Sequence, residues 1–147
     1  MSHAAESSSH RAIERLIADY ALFVDRGDFS AVGELFATAT FGGSGARIEG
    51  SAAVEQLLTG TVIRYDDGTP RTKHLVTNLV IEVDEDRGTA TGRSYFTVLQ
   101  ATTDLPLQPI VSGRYDDRFH RAGEQWAFAE RAVTMDLIGD LSRHLRR

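Results

Sequence analysis

No cysteine occurs anywhere in the chain. Disulfides, thiolate catalysis and cysteine metal sites are therefore excluded. Positive charge is in deficit, with 16 Lys and Arg against 21 Asp and Glu and a net charge of −5. That balance argues against general nucleic-acid binding, which wants a basic footprint, and against attachment to anionic membranes. No apolar run approaches the length of a membrane span. The opening MSHAAESSSHR lacks the apolar stretch of a signal peptide, so a cytoplasmic protein is expected. Internal repeats and long low-complexity segments are missing too. What remains is an ordinary globular balance, 41% hydrophobic and 25% charged, in 147 residues, enough for one domain and not two. Residues 1–9, small and polar, are expected to be a disordered tail, and residues 10–147 a single domain.

The stretch with the most to say is Thr72 to Asp84, TKHLVTNLVIEVD. Thr, Val, Leu and Ile dominate it without a Gly or Pro, which predicts a long strand. Period two places His74, Val76, Asn78, Val80 and Glu82 on one face and Leu75, Thr77, Leu79, Ile81 and Val83 on the other. The second face is nearly all apolar and reads as core. The first mixes polar and apolar groups, as the lining of a partly wet cavity does. Histidine is the ordinary side chain whose unperturbed pKa lies near neutrality, so what faces His74 is the functional question.

Helices come first in the chain. Ile13, Leu16, Ile17, Tyr20, Ala21 and Val24 recur at helical spacing and predict a helix from about Arg11 to Arg26, with Ser8 or Ser9 as cap and Gly27 as stop. Asp25 falls about 40° outside that stripe, in the last turn, where a carboxylate opposes the helix dipole. It is either a solvated Asp in a DRGD turn or a residue held there for a purpose. A short helix over Ser30 to Phe36, capped by Asp28 or Ser30, and another from Ser51 to about Leu58 follow. Between them lie weak strands at Ala39–Phe41 and Arg47–Gly50. Gly42-Gly43-Ser44-Gly45 lacks the Lys-Ser/Thr ending of a phosphate loop and reads as a turn. Thr59 to Arg71 is expected to be a mobile loop placed to act as a lid.

Antiparallel sheet completes the chain: Thr89–Gln100, a loop near Asp104–Pro109, then Ile110–His120 and Gln125–Met135, with a basic helical turn in the tail. Helices followed by strands predict an α+β fold, with the helices packed on one face of a curved sheet.

These residues resemble a known family. The order YALFVDRGD, ELF, a helix after EG, TKHLVTN and GRYDDRFHRAGEQWAFAERAV is similar to the SnoaL-like branch of the nuclear transport factor 2 superfamily, over about residues 10 to 145. The resemblance implies a conical barrel, a strongly bent, mixed but mostly antiparallel sheet wrapped around the N-terminal helices and enclosing a deep pocket. It is strongest to the group containing scytalone dehydratase, bile-acid 7α-dehydratase and hexachlorocyclohexane dehydrochlorinase. Those enzymes pair an Asp near the end of the first helix with a His at the start of the strand after the lid loop, positions that Asp25 and His74 match. Tyr20 and Arg131 match a Tyr and an Arg of the bile-acid enzyme. The group's second carboxylate or His has no clear equivalent; Thr97 is nearest, with Tyr95 on the same strand face.

The resemblance implies a cofactor-independent lyase or isomerase, dehydratase-like, acting on a small apolar oxygenated ring substrate through His74 and Asp25. Tyr20 and Arg131 join the catalytic set, and Asn78, Tyr95 and Thr97 are candidate substrate contacts. No metal is expected, since His74 and Asp25 are two ligands and a structural zinc needs four. Alternatives stay open: a non-catalytic protein that binds a hydrophobic small molecule, or a polyketide cyclase-like enzyme on the same scaffold. Tyr20 packs equally well as core, Arg131 can pair with Glu130 or Asp136 at the surface, and His120 and His144 read as solvated. A homo-oligomer, dimer or trimer, is implied as well.

Overall fold

The apolar stripe Ile13, Ile17, Tyr20 and Val24 is buried on a single long helix, α1 (His3–Arg26), laid across the sheet. The structure is a computed structural model that describes residues 3–43 and 45–146, Glu6 in its backbone alone. After α1 come α2 (Phe29–Leu35), β1 (Thr40–Gly43), β2 (Ala46–Glu49), α3 (Ser51–Thr61), β3 (Thr72–Asp84), β4 (Thr89–Thr102), β5 (Leu105–Ala122) and β6 (Gln125–Ile138). The six strands form one sheet in the order β2-β1-β6-β5-β4-β3. The β1–β6 pair is parallel and the others antiparallel, so the fold is α+β with a mixed, mostly antiparallel sheet. Among the described residues no helix is long and apolar enough to cross a membrane.

Several expectations need correction. The helix starts at His3, so residues 3–9 are not a disordered tail; Met1 and Ser2 lie outside the described residues. Ser9 is no cap but a buried anchor: it donates to the Glu85 carboxylate and accepts from Trp126 Nε1 at 3.1 Å, docking the first turns onto the sheet. Asp28 does cap α2, its Oδ1 accepting from the Ala31 N–H at 3.1 Å. Most of the expected loop at Asp104–Pro109 belongs to β5, which starts at Leu105, because a tight turn at Thr103–Asp104 lets the chain resume as strand at once; Thr102 Oγ1 donates to Asp104 Oδ1 at 2.8 Å. The expected lid over residues 59–71 is pinned instead. Its Ile63 N–H donates to the His144 carbonyl at 2.8 Å, and the Arg146 N–H donates to the Thr61 carbonyl at 2.8 Å.

The correction with most consequence lies inside β3. The register against β4 slips between Thr77 and Val80, and Asn78 sits there at a φ of 54°. Asn tolerates this left-handed conformation better than other L-residues. The bulge exchanges the faces of the strand. Before it Thr72, His74 and Val76 point inward; after it Leu79, Ile81 and Val83 do, packed on the core. Leu75 and Val80, 44% and 50% exposed, are left on the outside. One uninterrupted alternation through Asp84 was therefore the wrong pattern.

Candidate functional site

Asp25 is fixed by how α1 ends. The Gly27 N–H donates to the Val24 carbonyl and the Asp28 N–H to the Phe23 carbonyl, both at 2.9 Å, with Gly27 at a φ of 75°. This is the Schellman closure, which wants glycine at its left-handed position. A Cβ on Gly27 would also lie 2.0 Å from the Gly68 carbonyl oxygen, so the position admits no larger residue without movement. The closure holds Asp25 in the final turn, facing the start of β3.

Three hydrogen bonds meet its carboxylate there. Oδ1 pairs with His74 Nδ1 at 2.6 Å and accepts from Thr72 Oγ1 at 2.8 Å, while Oδ2 accepts from the His74 backbone N–H at 2.8 Å. Both side chains are largely shielded, His74 at 7% and Asp25 at 12% exposure. Burial pushes the Asp25 pKa up, but the bonds to the His74 ring and backbone, the imidazole's charge and the Thr72 hydroxyl outweigh it and hold the carboxyl below its ordinary value. An ionised Asp25 accepts from Nδ1–H, which leaves the lone pair on Nε2.

His74 faces an open-mouthed cavity of about 620 Å³ bounded by α1, α3, the sheet and the final residues. Val24, Leu58, Val62, Phe96, Val98, Val111 and Leu145 make most of its wall apolar, and Tyr20, Tyr115, His74, His144, Thr61 and Thr134 supply the polar side chains. A further hollow of about 670 Å³ lies against Glu82, Arg118 and His120 and shares no residue with the first. Among the described residues no three His, Asp or Glu side chains gather as a metal-binding group.

Tyr20 belongs to the cavity wall and to the core at once. Its ring meets Phe36, Phe41 and Tyr115 at centroid distances of 6.0, 6.1 and 5.8 Å. Burial raises the pKa of both tyrosines, well above its ordinary value at Tyr115, so each hydroxyl stays protonated and able to donate. Behind them lies Arg131. It is wholly buried, binds Asp117 in a fork at 2.8 and 2.9 Å, and sits 4.4 Å from the Tyr20 ring centroid and 3.6 Å from that of Tyr115. Arg131 is thus neither a surface partner of Glu130 or Asp136 nor part of the cavity wall. Asp136 is taken by Arg114 at 3.0 Å, and Glu130 by Arg47 and Arg118. The register explains the pairing, since Asp117 stands directly opposite Arg131 across β5 and β6.

Asn78, Tyr95 and Thr97 lie apart from the dyad. The bulge turns Asn78 to the outer face beside Tyr95, which is 52% exposed. Thr97, on the same outer side of β4, bonds Ser112 Oγ at 2.9 Å, while its neighbours Phe96 and Val98 line the cavity. Two inward residues went unrecognised in the sequence. Tyr115 was legible from the alternation Tyr115, Asp117, Phe119 in β5, all three buried. His144 is not solvated: it is buried in the cavity wall, its ring centroid 6.4 Å from that of His74. The only local signal was Leu141 and Leu145 flanking it at the spacing of one helical turn.

Comparison with known proteins gives these features a context. A family model described as a SnoaL-like domain matches residues 5–132. No curated protein matches the chain. Among solved structures, Rv3472, a function-unknown protein of Mycobacterium tuberculosis solved as an Asp-to-Asn variant, is similar with 28% identity and a TM-score of 0.75, over 94% of this chain and 78% of that one. An NTF2-like protein with a cystatin-like fold from Novosphingobium aromaticivorans is 22% identical with a TM-score of 0.72, over 86% of this chain and 80% of its own. A protein of the same organism assigned as a scytalone dehydratase is 24% identical with a TM-score of 0.74, over 92% and 89%. The last two likenesses speak to the fold alone.

Proposed function

The chain belongs to the SnoaL-like family, and from that premise we propose that it is a cofactor-independent lyase or isomerase whose leading reaction is dehydration of a small, largely apolar, oxygenated ring substrate. One observation carries the reading: the 2.6 Å contact between Asp25 and His74 Nδ1 at the wall of an apolar cavity. His74 Nε2 takes a proton from a carbon beside a carbonyl. The electron pair of that C–H bond forms the new double bond, the C–O bond at the neighbouring carbon breaks, and the imidazolium returns its proton to the leaving hydroxyl, which departs as water. Asp25 fixes the tautomer and stabilises the imidazolium. Tyr20 and Tyr115 donate to oxygen as charge develops there. Arg131 acts through those rings, as a buried cation that orders them, and touches no substrate.

The test uses proton abstraction from 5-nitrobenzisoxazole, which any base in an apolar cavity opens to a coloured phenolate. The wild type should turn it over with a rate that rises along a single basic-group limb, and His74→Ala should lower the rate by about 10²-fold or more with the fold intact. Wild-type turnover in His74→Ala ends the assignment of His74 as base. A ligand-binding role without catalysis is the second reading, favoured by the apolar walls; it predicts no pH limb and ligand binding that survives in His74→Ala. Leu75, Val80 and Tyr95 on the outer sheet face support a homo-oligomer, dimer or trimer, which light scattering in solution would count.

A further inference from the structure

Beyond β6 the chain doubles back along one side of the cavity. The Gly139 N–H donates to the Ile110 carbonyl at 2.8 Å, and Val62 forms a bridge with Leu145. The Arg143 carbonyl accepts from Gln100 Nε2 at 3.0 Å and from the Tyr65 hydroxyl at 2.5 Å. The Arg143 side chain holds Asp104 at 3.2 Å and Asp140 at 3.0 Å. The backbone of residue 144 is thus gripped from the sheet, from α3 and from the loop after it. This grip delivers an imidazole that is 6% exposed, lines the cavity between Leu141 and Leu145, and has a buried Nδ1 with no hydrogen-bond partner.

A histidine is a poor filler for such a wall. A buried polar atom without a partner costs stability, and a Leu or Phe would occupy the space without that cost. Nor does the ring serve His74 directly. Two imidazoles bonded nitrogen to nitrogen have centroids about 5 Å apart, whereas these stand 6.4 Å apart and steeply inclined. At this separation one oxygen can reach both ring edges only from the side, off the line that joins the rings.

We propose that His144 contacts the substrate, hydrogen-bonding a carbonyl or hydroxyl oxygen next to the carbon that His74 deprotonates. The proposal rests on the reading of His74 as base and narrows the substrate class: a ring compound whose acidic C–H lies one or two bonds from an oxygen. Burial, and after it the charge of His74, push the His144 pKa down to about 4, against a small opposing effect of Asp25. Near neutrality the ring is therefore uncharged, with one N–H to donate and no proton to compete with that of His74. A neutral imidazole of this kind stabilises a developing oxyanion without acting as an acid–base group itself.

Two measurements test it. With 5-nitrobenzisoxazole, whose leaving oxygen becomes a phenolate, His144→Phe should lower kcat/KM tenfold or more while the basic limb of the pH profile stays where the wild type has it. His144→Gln, which keeps an N–H donor, should recover part of the loss. Because His144→Phe removes a buried polar group, its Tm should equal or exceed that of the wild type. In the wild-type protein, 4-nitrophenol should bind saturably and shift the ring-nitrogen resonances of His144 in long-range ¹H–¹⁵N spectra, whatever the variants do. Wild-type kcat/KM in His144→Phe overturns the proposal, as does 4-nitrophenol that fails to bind or leaves those resonances unmoved. The underlying reading fails separately, through wild-type turnover in His74→Ala.

Discussion

Asp25 and His74 are joined twice, once through Oδ1 to the imidazole Nδ1 at 2.6 Å and once through Oδ2 to the backbone N–H at 2.8 Å. The second bond ties the carboxylate to the strand that carries the histidine, so helix and imidazole hold one another at a fixed distance. A charge at the dipole-disfavoured end of a helix is thereby compensated locally.

Asp25→Asn keeps the shape and loses the charge. An amide can donate to Nδ1, which selects the wrong tautomer and leaves Nε2 protonated. Turnover of 5-nitrobenzisoxazole should fall by on the order of 10²–10⁴-fold, with an unchanged circular dichroism spectrum. A loss of less than tenfold would mean that the carboxylate does not set the tautomer.

The same variant reports on stability against pH. The Asp25 pKa is lowered in the folded protein. Its ionised form therefore stabilises the fold fully above the range where a free carboxyl titrates, and the contribution disappears as pH falls through the lower folded value. Urea midpoints of wild type and Asp25→Asn should differ by a constant amount above about pH 5 and converge below about pH 4. A gap independent of pH down to acid unfolding contradicts this.

Asp117 and Arg131 form a fully buried pair. Removing one partner leaves the other charge uncompensated, and Asp117→Ala should cost roughly 3–5 kcal/mol in urea unfolding. The double variant Asp117→Leu/Arg131→Met should lose much less than the two single losses together. Additive losses would show that the pair contributes packing and not charge compensation.

Asn78 holds a left-handed backbone at the β3 bulge. Asn78→Val should destabilise by about 1–2 kcal/mol, the cost of a branched residue in that conformation, and Asn78→Gly should be neutral within about 0.5 kcal/mol. Thermal denaturation of the two variants decides it; equal stabilities would place no strain at the bulge.

These residues also mark how far the sequence could be read. Asp25 and His74 were legible because each sits at the boundary of an element with strong local signals: a helix closed by Gly27, a strand free of Gly and Pro. The α+β order of elements followed from the same periodicities. Asn78 was misplaced because a bulge arises from pairing with β4, and a strand read alone shows unbroken alternation. Arg131 illustrates the same limit. Counting back from the hairpin without the irregularity at Arg118 and Phe119 sets it opposite Asp116, and the bulge moves Asp117 there instead. His144 was missed because contacts with residues 61–65 and 100, far away in sequence, bring it inward. Ser142, Arg143 and Arg146 around it suggest solvent, and Leu141 and Leu145 alone point inward.

The change of sides at Asn78 gives one strand two separate jobs. Before it His74 addresses the guest in the hollow, and the inward residues from Leu79 onward form the bed on which α1 rests. A repair to that bed leaves the chamber's chemistry alone.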